Sequence, residues 1–253
     1  GGVPLPAVVK AAAADPTTIN KAEEEGGGSP GTVSDAAAAK PKRRMTVLVT
    51  AAAGGTGQIA VQLAKLAGHT VVATCGGEAK ADMLKRLGAD RVINYRVEKV
   101  RDVLKREFKK GIDLAYESVG GDMFSAAIDA LAPGGKIIVI GMMSQYKAGG
   151  DGAADAWTPS EHKGLPEKLL WKSGACVGFF LPHYAKHFRR HLSHLYSLHK
   201  SGQLSVEIDP TAFTGLESVP AAVDHLQGGK SMGKVVVKVG RGGEGRGALS
   251  AKL

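Results

Sequence analysis

A doubly wound parallel α/β sheet is the fold class predicted for residues 45–239, and three observations predict it. Strand-like and helix-like stretches alternate from Met45 onward. The first strand runs through a turn of small residues straight into a helix. Lys136–Ile140, KIIVI, has the near-continuous apolar character of a strand covered on both faces. Alternation with helices of this length implies right-handed crossovers and therefore parallel strands.

The first strand is Thr46–Thr50, an apolar β-branched run. Ala51–Gly57 forms the turn, and Ile59, Val61, Leu63 and Leu66 recur through the helix after it. Thr70–Thr74 is a second strand, followed by a helix over Glu78–Leu87 that Gly88 ends in the C-cap position. Arg91–Tyr95 is a third strand, with a charged helix from about Glu98 to Phe108. Ile112–Glu117 is a fourth, and a helix over Met123–Leu131 is expected to stop at Pro133-Gly134-Gly135, before the fifth strand at Lys136–Ile140. Gly149–Pro166 reads as a polar loop, Ala175–Phe180 as a sixth strand and Pro182–Leu198 as a helix. Leu204–Ile208 is a short extended piece, Gly215–Leu226 a helix and Lys234–Val239 a closing strand.

The flanks differ in composition. Gly1–Arg44 carries alanine runs, Glu23-Glu24-Glu25, a Gly/Ser/Pro break and the basic cluster Lys40–Arg44, with few large apolar residues, so disorder is expected there. Residues 240–253 read as a flexible tail ending Ala251-Lys252-Leu253, which resembles the peroxisomal address S-K-L. Two cysteines make no disulfide framework and point to a reducing compartment. The net charge of +9 is scattered over helices and termini, so no nucleic-acid partner is expected. No apolar run approaches the roughly 20 residues of a membrane span, so no membrane partner is expected either.

Aligned on G-x-G-x-x-G, the turn reads Ala52-Ala53-Gly54-Gly55-Thr56-Gly57, with alanine at the first glycine position. Small residues let the backbone approach a pyrophosphate, whose charge then rests on free N–H groups at the positive end of the helix. The strand before it and the helix after it supply the context that this fingerprint requires. At the end of the second strand an acid usually holds a ribose 2′-OH, whereas a base admits a 2′-phosphate. Here Thr74-Cys75-Gly76-Gly77 offers no acid and Lys80 follows in the first helical turn, which favours NADPH over NADH. Glu78 is the opposing feature, since its carboxylate could neutralise Lys80.

VLVTAAAGGTGQ, the stretch from Thr74 to Lys80, LGADRVINY, YESVGGDMF, IIVIGMMSQY, VGFFLPHY and FTGLES occur in this order. Together they resemble the medium-chain dehydrogenase/reductase superfamily, and within it the prostaglandin reductases, over Met45 to about Val239. The resemblance implies a Rossmann fold in which Gly54, Gly55, Thr56 and Gly57 meet the pyrophosphate of NADPH and Lys80 and Tyr95 hold its 2′-phosphate. It implies Ser118 on the adenosine side, Ile140 and Tyr146 beside the nicotinamide ribose, and the backbone of Phe179, Phe180 and Leu181 on the carboxamide. Ser231 stands where the family has asparagine, and Gly76 where it has serine; both departures imply weaker cofactor affinity. The implied reaction is reduction of the conjugated double bond of an enone, with Tyr146 as hydrogen-bond donor to the developing oxyanion.

No catalytic metal is expected: His183, His187 and His191 are spaced four apart on a predicted helix, but no carboxylate or cysteine accompanies them at ligand spacing. Family members carry a substrate domain of roughly 120–150 residues ahead of the nucleotide domain; here residues 1–44 stand in its place. The closing strand, expected to pair with that domain, would then present a bare edge open to a second copy of the chain, a homodimer. The competing readings are a silent nucleotide-binding module and a quinone reductase. The tail implies a peroxisomal import receptor as partner and a peroxisomal location, cytoplasmic if the tripeptide is not read.

Overall fold

The computed structural model describes residues 43–145 and 161–240. Six parallel strands, β1 Thr46–Val49, β2 Thr70–Cys75, β3 Arg91–Asn94, β4 Ile112–Glu117, β5 Leu131–Val139 and β6 Ala175–Gly178, form one sheet in the order β3-β2-β1-β4-β5-β6. The expected doubly wound α/β class is what the chain adopts.

Alternation along β1 builds the two halves of the core. Val47 and Val49 face one cluster, into which helices α1 (Gly57–Leu66) and α2 (Glu78–Arg86) send Val61, Ala64, Met83 and Leu84. Leu48, between them, faces the other, shared with Val103 and Leu104 of α3 (Val100–Glu107) and Phe124, Ala127 and Ile128 of α4 (Gly121–Asp129). With both faces covered, the central strands need apolar side chains at every position, as observed for Val47, Leu48 and Val49.

Three expectations are corrected here. The helix before β5 ends at Asp129, and the Pro133-Gly134-Gly135 stop lies inside the strand. There the register jumps from Ile112↔Leu131 to Leu114↔Lys136, a bulge in which proline owes no ladder N–H and Gly134 takes φ +75°. A helix α5, Leu165–Lys172, replaces the end of the polar loop. Pro166 in its first turn is a helix-start signal, Leu165 and Leu169 pack on the α3/α4 side, and Lys172 Nζ donates to the carbonyls of Asp129 (2.6 Å) and Leu131 (2.8 Å) at the end of α4. The predicted helix over Pro182–Leu198 splits: Leu181–His187 is 3-10 with Tyr184 off helical geometry, and α6 runs Phe188–Lys200.

Beyond α6 the chain returns to the glycine turn. Residues 204–208 lie along α1, where Gln58 and Gln62 present their amides one helical turn apart. Gln58 Oε1 accepts from Glu207 N (2.7 Å) and its Nε2 donates to Glu207 O (3.0 Å); Gln62 does the same with Ser205 (2.8 and 2.9 Å). These side chains imitate a neighbouring strand, which is how two glutamines stay buried without loss. Helix α7, Val219–Gln227, precedes a segment bridging Gly233 to Gly54. The closing strand is shorter than expected: β8, Val237–Lys238, pairs along one edge, parallel, with β7, Phe213–Thr214.

Candidate functional site: the crevice at the carboxyl edge of β1 and β4

Strand order reverses between β1 and β4, and the turns leaving these two strands flank the crevice this creates. The first is wound tightly enough to place Ala51 at φ +45°, with Gly54 N bonded to Ala51 O at 3.1 Å. Gly57 is where α1 comes closest to the strand: a Cβ there would lie 2.4 Å from Ala51 O and 2.7 Å from Ala52 Cα. Gly54 is open by comparison, with only Ala51 O at 3.4 Å. Thr56 is the N-cap without a side-chain cap, and the first turn of α1 has no acid. Among the described residues the amides of Gly55, Thr56 and Gly57 have no backbone carbonyl partner. The site therefore offers unspent N–H groups and the positive end of a helix, which fit a pyrophosphate.

The segment 231–234 borders this turn. Gly233 N donates to Ala53 O at 2.8 Å, the Lys234 stem packs on Gly55, and Ser231 is buried beside them. Asp209 holds the segment by accepting from Met232 N (2.6 Å), Thr211 N (2.9 Å) and His225 Nε2 (3.1 Å). Burial alone would raise its pKa, but these donors outweigh burial and bring it down to about 2.

The second turn follows β4. Glu117 is fully buried and accepts from Val119 N (2.8 Å), Gly120 N (3.1 Å) and Thr50 Oγ1 (3.2 Å), while Thr50 Oγ1 accepts from Ser118 N at 2.9 Å. Burial nonetheless pushes the Glu117 pKa upward. The carboxylate and the threonine tie the β1 and β4 turns together, which fixes Ser118 at the crevice. Ile140, half-buried, donates its amide to Glu117 O at 2.8 Å, putting it on the same wall.

On the side of β2, Tyr95 lies over Gly76, whose Cβ position would be 2.6 Å from the phenol oxygen. The Gly76 departure thus has a packing reason, since a side chain there would displace the tyrosine. Lys80 Nζ donates to Gly229 O at 2.7 Å, and its pKa is lowered first by burial and then by Arg96. Glu78 pairs with Lys85 at 3.6 Å, leaving the charge of Lys80 intact.

Phe179 stacks on Tyr184 at 4.5 Å and spends its amide on Val139 O (2.9 Å), and Phe180 O accepts from His183 N (3.1 Å). The amides of Phe180 and Leu181 remain without a backbone partner among the described residues. Tyr146 and the tripeptide Ala251-Lys252-Leu253 lie outside the described residues, as do residues 1–42 of the segment 1–44 expected to be disordered. The shared histidine face forms only in part, with the His187 and His191 rings 6.2 Å apart. The break at Tyr184 takes His183 off α6 and sets it edge-on to Phe180, while Nε2 of His191 and of His194 are buried rather than solvated. Among the described residues no group of three His, Cys, Asp or Glu is placed to hold a metal ion, and no helix is long and apolar enough to cross a membrane.

Sequence reasoning missed Gln58, Gln62, Asp209 and Glu117. The signal for the glutamines was a polar pair at i, i+4 flanking Val61 on the apolar face; for Asp209 it was the Asp-Pro pair, a turn signature in which the carboxylate accepts from the amide two residues on.

Residues 55–160 match the family model Zinc-binding dehydrogenase. Prostaglandin reductase-3 of Mus musculus is 48% identical over 192 residues, covering 74% of this chain and 50% of that protein. A protein of Leishmania amazonensis named probable quinone oxidoreductase is 41% identical over 187 residues, covering 74% and 54%. CurA of Vibrio vulnificus, solved in complex with NADPH, superposes with a TM-score of 0.69 at 30% identity, covering 79% of this chain and 58% of that one. The chain thus spans about half the length of the curated relatives it matches. With the fold, the turn and these relatives in agreement, the chain belongs to the medium-chain dehydrogenase/reductase superfamily.

Proposed function

We propose that the chain binds NADPH in the β1/β4 crevice and serves the reduction of the conjugated carbon–carbon double bond of enones. The observation that supports it most is the row of unspent amides at Gly55, Thr56 and Gly57, with Gly54 open beside them, in a chain 48% identical to a prostaglandin reductase. When bound, the dihydronicotinamide supplies a hydride to the β-carbon of the enone.

The chain's own residues bind, orient and polarise. The turn amides take the pyrophosphate, and Lys80 and Tyr95 take the 2′-phosphate. Ser118 and Ile140 line the sugar-side wall, with Ser231 beside the phosphate turn. The free amides of Phe180 and Leu181, with the carbonyl of Phe179, hold the carboxamide and thereby fix which face of the ring meets substrate. Tyr146, next in sequence after the 3-10 turn Met143–Gln145 that follows β5, donates to the carbonyl oxygen where negative charge develops.

Enone reduction followed as NADPH consumption at 340 nm, a general property of dihydronicotinamides, tests this reading. Turnover of an enone, with Tyr146→Phe lowering kcat about 100-fold as loss of one oxyanion donor does, supports it. NADPH binding without enone turnover sinks it in favour of a silent module, and turnover of quinones alone favours the quinone reductase that the Leishmania relative suggests. We further propose that a peroxisomal import receptor reads Ala251-Lys252-Leu253. A fluorescent fusion at the N-terminus should then be punctate, and diffuse once the tripeptide is deleted.

A further inference from the structure

We propose that Arg96 is the second cation of a two-cation seat for the 2′-phosphate, and sets the preference for NADPH together with Lys80; this rests on the NADPH reading above. Asn94 Oδ1 accepts from both Gly77 N (2.9 Å) and Arg96 N (3.2 Å), so the turn leaving β2 and the turn leaving β3 are pinned to one side chain. That pinning lays Arg96 Nη1 3.6 Å from the Cβ position of Gly77, while the Tyr95 phenol covers Gly76. The phenol and the guanidinium thus meet one pair of glycines, with the Lys80 ammonium close enough to Arg96 to feel its charge.

The electrostatics call for an anion. Arg96 is near enough to depress the pKa of Lys80, an unfavourable pairing of like charges. Among the described residues neither cation pairs with a carboxylate: Glu78 pairs with Lys85, and the oxygens of Asp209 are taken by Met232, Thr211 and His225. A phosphate monoester carries about −1.5 to −2 at neutral pH, which two cations balance where one does not. Guanidinium adds a planar fork that can hold two phosphate oxygens at once, while Lys80, with one proton on Gly229 O, keeps two for the third. A 2′-hydroxyl would leave both charges unanswered, so the seat selects against NADH.

The test titrates the full chain and its R96Q, R96K and K80Q variants with NADPH, NADH and adenosine 2′,5′-bisphosphate by calorimetry, with thermal melts alongside. Arg96 is exposed, so R96Q should melt with the wild type. The expected result is a loss of about tenfold or more in NADPH and bisphosphate affinity for R96Q, a change of less than about twofold for NADH, and partial recovery in R96K. Equal losses for NADPH and NADH in R96Q, or discrimination lost only in K80Q, would overturn the role of Arg96 and leave the NADPH reading standing. A wild type that binds NADPH no tighter than NADH would overturn both.

Discussion

Replacing Gly57 by alanine is the sharpest perturbation of the phosphate turn. The added methyl would sit 2.4 Å from Ala51 O, 2.7 Å from Ala52 Cα and 2.8 Å from Ala52 O, all backbone atoms that no rotamer change can move aside. Relief requires α1 to back away from β1 by roughly 1 Å, an overpacking cost of about 1–3 kcal/mol. The α1 residues that anchor the helix, Val61, Gln58 and Gln62, resist that shift because the two glutamines are bonded to Glu207 and Ser205. At about 2–4 °C per kcal/mol for a domain of this size, the melting temperature of G57A should fall by roughly 2–12 °C. The amides of Gly55, Thr56 and Gly57 move with the helix, so NADPH affinity should fall about tenfold or more. G54A is the control for stability: its backbone is not left-handed and its methyl would meet only Ala51 O at 3.4 Å, so it should melt within about 1 °C of the wild type. If G57A melts with the wild type and binds NADPH unchanged, the close approach of helix to strand is not what builds the turn.

Q58A should cost roughly 1–3 kcal/mol, because it leaves the Glu207 amide without its acceptor, while Glu207 O keeps its bond from Lys234 N; urea denaturation checks it as a lower midpoint at unchanged slope. E117A strips acceptors from Val119 N, Gly120 N and Thr50 Oγ1 in a fully buried place. It should destabilise by about 3 kcal/mol or more, read by the same denaturation, whereas E117Q, which still accepts, should lose less. The folded-state pKa of Asp209 lies at about 2, below its ordinary 3.8. Its stabilisation is therefore complete above about pH 5 and lost as pH falls towards 2, and D209N should remove about 2 kcal/mol at neutral pH and flatten that acid limb. Melting curves collected from pH 7 down to pH 2 test the sign.

The parallel sheet was legible because strands covered on both faces must be apolar at successive positions, and Val47-Leu48-Val49 and Ile137-Ile138 are. The glycine turn was legible because its small residues stand between such a strand and a helix. What sequence concealed has particular causes. Pro133-Gly134-Gly135 suits a bulge as well as a stop, since each needs the same missing N–H and missing Cβ, and only the pairing of β5 with β4 decides between them. Helix α5 is short, and Leu165 and Leu169 mark its buried side only once the α3/α4 cluster is known. Gln58 and Gln62 look like surface residues until their partners arrive from more than 140 positions downstream, 149 for Gln58 and 143 for Gln62. Arg96 shows the same limit: nothing local distinguishes it from the other exposed bases, and it gains meaning from Asn94, which draws two separate turns together.

The grip of the turn on a dinucleotide is tested most directly by amide hydrogen exchange measured by NMR on the chain alone and saturated with NADPH. The amides of Gly55, Thr56 and Gly57, which have no backbone partner among the described residues, should exchange fast in the free chain and slow sharply in the complex. Saturating NADPH that leaves those three amides exchanging at their free rates would contradict the account.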